Sequence, residues 1–239
     1  LQHLAIIMDG NRRWARANQR ETLFGHHSGA ENLIPIARAV AAAGIEWLTV
    51  FAFSAENWKR SEAEVTGLLT LMRRFLMRET EQLVAENVIV KIIGDRSEFD
   101  ADMQALFASV EQQTRNNSGL HLGLAINYGG KQDILQSARL YRPVGPITLA
   151  EQEALFKKAL YTADLPPVDM IIRTGGERRL SNFLLWDMAY AEIYFADKFW
   201  PDFSVEDLHL ALEDYRSRQR RFGGDAADED GQAQRLSKL

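Results

Sequence analysis

The sequence has no cysteine. That excludes disulfides and any metal site or nucleophile built on a thiolate, and it suits a reducing compartment. No apolar run approaches the roughly 18 residues of a membrane-spanning helix. The first residues lack the basic-then-apolar pattern of a secretory signal, and the chain starts on Leu1, so a natural N-terminus upstream is expected. Enzyme signatures are missing as well. There is no GxxxxGK[ST] loop and no GxGxxG after a strand, which counts against a P-loop enzyme or a dinucleotide site. A GxSxG elbow is absent, and with it the usual support for a Ser/His/Asp hydrolase. Excess positive charge is lacking too: 28 basic against 33 acidic residues give −5, so the molecule as a whole is not built to hold nucleic acid.

The basic residues that are present cluster at 12–20, 173–179 and 216–221. Local clusters in an acidic protein suggest a confined anionic ligand, although the last cluster reads equally well as the solvated face of a helix.

Short apolar runs at 4–8, 47–53, 88–93, 120–127 and 168–172 alternate with helical patterns, and a sixth, shorter run lies at 191–195. Most are continuous, as in strands covered on both faces. Ser28-x-x-Glu31, Ser61-x-x-Glu64 and Thr148-x-x-Glu151 each fit a capping box. They predict helices from Ser28 to about Ala43, with Pro35 as a kink and Gly44 as the stop, and from Ser61 to about Glu86. A last helix is expected from about Ser204 to Arg221. The pattern predicts an α/β fold with a mostly parallel sheet flanked by helices. A length of 239 residues allows one large α/β domain or two small ones, and the end of the chain, over 225–239, is expected to be a polar, loose tail.

Open parallel sheets bind ligands beyond the carboxyl ends of their strands. Here those ends read Asp9-Gly10-Asn11, Ser54-Ala55-Glu56-Asn57-Trp58, Gly94-Asp95-Arg96, Tyr128-Gly129-Gly130 and Arg173-Thr174-Gly175-Gly176. Each alone is an ordinary turn; five together outline a polar cleft. At the first, Gly10 allows close approach of backbone to ligand, and Arg13 adds charge-assisted bonds to phosphate. Asp9 would repel phosphate unless a divalent cation bridged them, as Mg²⁺ commonly does. The bland alternative is an Asp at a helix start paired with Arg13. Residues 171–182, IIRTGGERRLSN, repeat the logic without a carboxylate on the strand end, and suit a second, metal-free diphosphate. The apolar faces of the helices after Ser28 and Ser61 could line a hydrocarbon channel or simply pack the core. Glu64 reads first as a capping residue.

Seven segments occur in order: IIMDGNRRWA, GHHSGA, FAFSAENWKR, INYGG, IRTGGERRLSNFLLWDMAYAEIYF, WPDF and RQRRFGG. Together they resemble the cis-prenyltransferases, most closely the bacterial undecaprenyl diphosphate synthases, over about residues 3 to 224. The resemblance implies a single catalytic domain over 1–224 and a Mg²⁺-dependent homodimer with a six-stranded sheet and a hydrophobic tunnel, which adds isopentenyl diphosphate units to farnesyl diphosphate. Asp9 then matches the metal-associated catalytic aspartate. Gly10, Asn11, Arg12, Arg13, Trp14 and His26 match the allylic diphosphate site. Asn57 matches the residue assigned to proton removal, with Ser54, Ala55, Glu56, Trp58 and Arg60 in the same loop. Arg173, Arg179, Leu180 and Ser181 match the isopentenyl diphosphate site, Glu192 a second metal-associated carboxylate, and Arg221 an element that reaches the partner subunit. A cytoplasmic enzyme with transient contact to the inner face of the plasma membrane is implied.

The sequence departs from that pattern at Thr22, where relatives carry a basic residue for which Arg20 is the nearest substitute. It departs also at Arg178, where close relatives often have a metal-associated His, and at Ser61, which replaces a common Pro. Leu120 matches a position near the closed end of the tunnel. Removal of Asp9 is expected to abolish turnover with little loss of fold. Two rival readings are a non-catalytic partner subunit, which would lack Asp9 or the diphosphate arginines, and a phosphohydrolase, which would release pyrophosphate without isopentenyl diphosphate.

Overall fold

A computed structural model describes residues 1–218 apart from 144. The chain runs β1 (His3–Ile7), α1 (Asn11–Ala17), α2 (Thr22–Ala42), β2 (Trp47–Ser54), a 3-10 turn (Ala55–Lys59), α3 (Glu62–Ala85), β3 (Ile89–Ile93) and α4 (Ala101–Thr114). It continues with β4 (His121–Tyr128), α5 (Gly130–Leu140), α6 (Leu149–Lys157), β5 (Met170–Arg173), β6 (Glu192–Phe195), a second 3-10 turn (Trp200–Asp202) and α7 (Val205–Ser217). The six strands form one sheet in the order β3-β4-β2-β1-β5-β6, every pair parallel.

Each expected strand is present, with ends within two residues of the sequence reading. The alternation of β1 explains why its run is continuous: Leu4 and Ile6 enter the core beneath the long helices, while Ala5 and Ile7 face a second cluster with Phe183 and Leu184. All five residues of β1 are buried. Strand β1 sits between β2 and β5, so the chain leaves it toward opposite halves of the sheet. That switch point is where an open parallel sheet leaves a crevice.

Helix α2 differs from expectation. It starts at Thr22, not Ser28, so Ser28 and Glu31 lie inside it and form no cap. The exposed Leu23 and Phe24 blur the apolar period before Ser28. Pro35 falls within the helix, and Gly44, in the left-handed region at φ +75°, follows its end as expected. Ser61 does cap α3, accepting from Glu64 N, and the Thr148–Glu151 capping box is complete. Helix α7 is described to Ser217. The RFGG element with Arg221, and the tail over 225–239, lie outside the described residues.

Candidate active site

The site begins where β1 and β5 end side by side, Ile7 in register with Arg173. The next residues hold each other in place. Thr174 Oγ1 accepts from Asp9 N at 3.0 Å and donates to Asp9 O at 2.8 Å. Trp200 N also donates to Asp9 O, at 3.0 Å, so the WPDF segment braces the opening loop. Gly10 has φ +108°, and a Cβ there would lie 2.7 Å from the Phe199 ring. Glycine is required at this turn by both conformation and space.

The carboxylate of Asp9 is fixed from three sides. Its Oδ1 accepts from Gly10 N at 2.7 Å, and its Oδ2 accepts from Arg173 Nη2 at 2.7 Å and pairs with Arg13 Nη2 at 3.3 Å. Arg173 is buried. Its Nη1 donates to Arg179 O and to Ser181 Oγ (2.7 Å to the latter), while its Nε has no partner in the described structure. Arg173 therefore acts as a strut between the first loop and the 179–181 segment. Arg13 and Arg179 share Glu177, at 3.2 and 2.5 Å.

A second carboxylate organises the other wall. Glu64, on the first turn of α3, pairs with Arg60 at 2.9 Å and Arg12 at 3.7 Å, and lies 3.6 Å from His26 Nε2. Of the capping role expected for Glu64, only its backbone N–H takes part, donating to Ser61. Its position four residues after Arg60 and beside a basic loop was the available signal. Burial, reinforced by the Arg60 and Arg12 charges and opposed by Glu64, pushes His26 down to about 4, so the imidazole is neutral at pH 7.

The cleft between these walls is about 600 Å³ and is lined by Asp9, His26, Asn57, Arg60, Arg173 and Ser181 among others. It shares Met8, Asn11, His26, Ala52 and Leu68 with an apolar pocket of about 100 Å³ between α2, α3 and the sheet. A polar chamber thus opens directly onto a hydrocarbon-lined one. The residues of α3 beside it, Val65, Leu68, Leu69 and Met72, are only half-buried.

The family model described as "Putative undecaprenyl diphosphate synthase" matches residues 7–223. The chain belongs to this prenyltransferase family. It is 47% identical over 226 residues to a ditrans,polycis-undecaprenyl-diphosphate synthase, (2E,6E)-farnesyl-diphosphate specific, of Pseudomonas syringae pv. tomato, covering 93% of this chain and 90% of that one. A Haemophilus influenzae synthase of the same name is 44% identical, covering 93% and 95%. Among solved structures, a lavandulyl diphosphate synthase from Lavandula x intermedia, in complex with dimethylallyl diphosphate, aligns with TM-score 0.86 at 35% identity, covering 93% of this chain and 98% of that one. A probable undecaprenyl diphosphate synthase from Campylobacter jejuni gives 0.77 at 30%, with the same coverage.

Within this family member, Asp9, Gly10, Asn11, Arg12, Arg13, His26, Ser54, Glu56, Asn57, Arg60, Arg173, Arg179 and Ser181 are brought to one mouth. Arg16 joins them, lining the chamber around Arg12 and Arg13. Arg20 does not: its guanidinium lies over the Phe24 ring at 5.2 Å. Of the two arginines that follow Arg13, Arg16 is the one that lines the mouth.

Several residues named from sequence are placed elsewhere. Trp14 donates to Asp202 Oδ1 at 2.7 Å and stacks on Phe24. Trp58 packs on Phe53 and Phe99 and donates to Asn127 Oδ1 at 2.9 Å. Leu180 packs under the sheet against the second core cluster, and Ala55 is a spacer in the 3-10 turn. Glu192 is not brought to Asp9. It is in register with Met170 at the opposite end of the sheet and pairs with Arg218 at 2.9 Å. Leu120 is a core residue outside the lining of the apolar pocket.

Asn57 has its side chain committed on one side. Its Oδ1 accepts from Ser54 N at 3.1 Å, while the Ser54 side chain accepts from the Asn57 backbone N–H. What Asn57 offers a ligand is therefore the Nδ2 donor rather than the carbonyl oxygen.

Proposed function

We propose that this chain is a cis-prenyltransferase whose single catalytic domain condenses isopentenyl diphosphate onto farnesyl diphosphate, yielding undecaprenyl diphosphate, the precursor of a cell-wall lipid carrier. The observation that carries this reading is the continuity of the two chambers. A diphosphate head fits among the arginines while its hydrocarbon tail enters the pocket between α2 and α3. The farnesyl-specific relatives support the choice of allylic substrate.

In this reading Arg12, Arg13 and Arg16 surround the allylic diphosphate, with neutral His26 beside them. Cleavage of the allylic C–O bond moves negative charge onto the departing pyrophosphate, so these guanidiniums stabilise the transition state more than the ground state. Arg179 and Ser181 take the isopentenyl diphosphate, and Arg173 holds Ser181 in place beneath it. Asn57 donates to a diphosphate oxygen and so orients the group that receives the proton lost after C–C bond formation. An amide oxygen is too weak a base for that task, and here it is already bonded.

Among the described residues no three His, Cys, Asp or Glu side chains gather as a metal site. A single carboxylate flanked by arginines does fit Mg²⁺ held jointly with substrate, since that ion commonly takes one or two carboxylates plus phosphates. Asp9 would hold it, and the ion would neutralise charge on the departing pyrophosphate. Glu192 is not within reach of that position in one chain.

The pocket of about 100 Å³ is smaller than the chain it would take, so the loosely packed face of α3 yields as the product grows. No helix among the described residues is long and apolar enough to cross a membrane. Homodimer formation and transient contact with a membrane surface remain part of the proposal. Incubation with farnesyl and isopentenyl diphosphates, with and without Mg²⁺, followed by sizing of the products, tests it. A ladder of Mg²⁺-dependent products is expected; pyrophosphate release without chain growth would overturn the reading.

A further inference from the structure

Residues 181–184 contain three non-glycine residues with positive φ: Ser181 (+48°), Asn182 (+65°) and Leu184 (+37°). Such a run is retained only where the surroundings over-determine it. Asn182 shows how. Its backbone O accepts from Gly130 N at 2.6 Å and its Oδ1 accepts from Lys131 N at 2.8 Å. These are the first N–H groups of α5, whose own N-cap, Gly129, has no side chain to serve them. Asn182 caps α5 from about fifty residues further along the chain.

Both hydrogens of its Nδ2 are engaged as well. One goes to Gln132 Oε1 at 2.9 Å, and the other to Glu56 Oε1 at 2.8 Å. Glu56 directly precedes Asn57 in the 3-10 turn, and Ser181 directly precedes Asn182. One amide thus joins the segment that carries Asn57 to the segment that carries Arg179 and Ser181. On the far side of Asn57, Trp58 is held by Asn127 Oδ1 at 2.9 Å. Asn127 is itself a buried left-handed residue (φ +46°), three positions before Gly130. The 3-10 turn is therefore fastened at both neighbours of Asn57 to the corner between β4 and α5.

We infer that Asn182 is a positioning residue for the condensation, setting the distance between Asn57 and the Arg179–Ser181 half-site through its hydrogen bond to Glu56. This rests on the prenyltransferase reading of the same cleft. Gly129 is part of the device: a Cβ there would lie 2.7 Å from Asn182 Nδ2 and 2.3 Å from Gln132 Oε1. Only glycine lets the asparagine approach.

Asn182→Asp tests the tie, because the Gln132 amide can turn to donate to the new oxygen whereas the Glu56 carboxylate cannot. Aspartate tolerates the left-handed region and keeps an acceptor for Lys131 N, but sets an oxygen against Glu56 Oε1. Pairing it with Glu56→Gln restores a donor–acceptor contact with its polarity reversed. Steady-state kinetics of the four chains (wild type, each single variant and the double) should show kcat about 30-fold lower for Asn182→Asp, the loss expected of a sub-ångström misplacement. The KM for isopentenyl diphosphate should change less than about threefold, and the double variant should return to within about threefold of Glu56→Gln alone. Gly129→Ala, which leaves every cleft residue intact, should reproduce the kcat loss. Hydrogen exchange of residues 55–59 gives a readout independent of turnover: faster in Asn182→Asp, and restored in the double variant. No rescue in the double variant, by kinetics or by exchange, would overturn the inference. So would a loss confined to KM, which would mean direct contact with substrate, or a kcat loss matched by loss of folded protein in thermal unfolding. A wild-type chain that makes no prenyl product counts against the functional reading alone, and the exchange experiment still decides the tie.

Discussion

Arg173 Nη2 lies 2.7 Å from Asp9 Oδ2, joining two strand ends that are 164 residues apart in sequence. The guanidinium is buried with a side-chain exposure of 4%, while the carboxylate is 29% exposed toward the cleft. The pair is therefore asymmetric: Asp9 faces the cleft on one side and satisfies a buried cation on the other.

That asymmetry corrects the expectation that Asp9 can be removed with little loss of fold. Asp9→Ala leaves Arg173 buried without its carboxylate, and should lower stability by about 1–3 kcal/mol, below the full cost for a buried pair because Asp9 is part-exposed. Asp9→Asn retains an acceptor for Arg173 and should unfold in urea close to wild type while losing most of its turnover. Near-normal turnover in Asp9→Asn would remove the carboxylate from the mechanism.

The strands were readable because each is a short apolar run between polar or glycine-rich turns, but of the five turns named from sequence only those after β1, β2 and β5 line the mouth, while 94–96 and 128–130 do not. Residues whose role depends on a partner far along the chain were not readable. Glu64 looked like a cap because its neighbours Arg12 and His26 come from other elements. Trp58 looked like a ligand contact because nothing local shows Asn127 waiting for its indole N–H. Glu192 stands two residues after Tyr190 in a matching motif, yet the parallel register of β6 carries it to the far end of the sheet. Motif spacing conveys which residues occur together, not which end of a strand they occupy.

Glu64 should act through geometry rather than affinity. It pairs with Arg60 and Arg12 at once, beside the neutral His26, and its removal has two opposed effects: it frees positive charge for a diphosphate and releases long side chains from defined positions. Arg12, more than half exposed, gains little from the freed charge, and the lost orientation of Arg60 dominates. Glu64→Ala should lower kcat about tenfold while the KM for farnesyl diphosphate changes less than about threefold. A large rise in KM with kcat unchanged would show that Glu64 serves binding alone.

Stability should fall on mild acidification through two histidines. His3 is fully buried, with Nδ1 and Nε2 bonded to Pro166 O and Thr49 Oγ1 at 2.9 and 2.8 Å. Burial lowers it to about 4, and burial with nearby arginines lowers His26 to about 4. Unfolded chains protonate histidine near pH 6.5. The stabilisation is therefore complete above pH 6.5 and is lost progressively as pH falls toward 4, by on the order of 1–2 kcal/mol per histidine at pH 5. Urea midpoints at pH 7 and pH 5, compared between wild type and His3→Gln, should show a shallower pH dependence in the variant. Equal slopes would mean that His3 takes up a proton in the folded protein.

The last prediction separates two glycines that look equivalent on helix propensity. Gly25 in α2 and Gly67 in α3 each sit inside a helix, where alanine is favoured by about 1 kcal/mol. At Gly25 a Cβ would lie 2.2 Å from Asn11 O and 2.9 Å from Ala15 Cβ. Backbone cannot give way there without moving α1, which carries Arg12, Arg13 and Arg16 into the cleft. At Gly67 the nearest atoms are the methyl ends of Leu23, at 2.5 and 2.7 Å, and Leu23 is exposed enough to swing aside. Gly25→Ala should therefore destabilise by about 1–3 kcal/mol and depress turnover, since overpacking at this crossing displaces the arginine loop. Gly67→Ala should be neutral or raise the thermal midpoint, with activity retained. Thermal unfolding of the two variants decides it, because propensity alone gives both the same sign and the close approach of α1 to α2 gives them opposite signs.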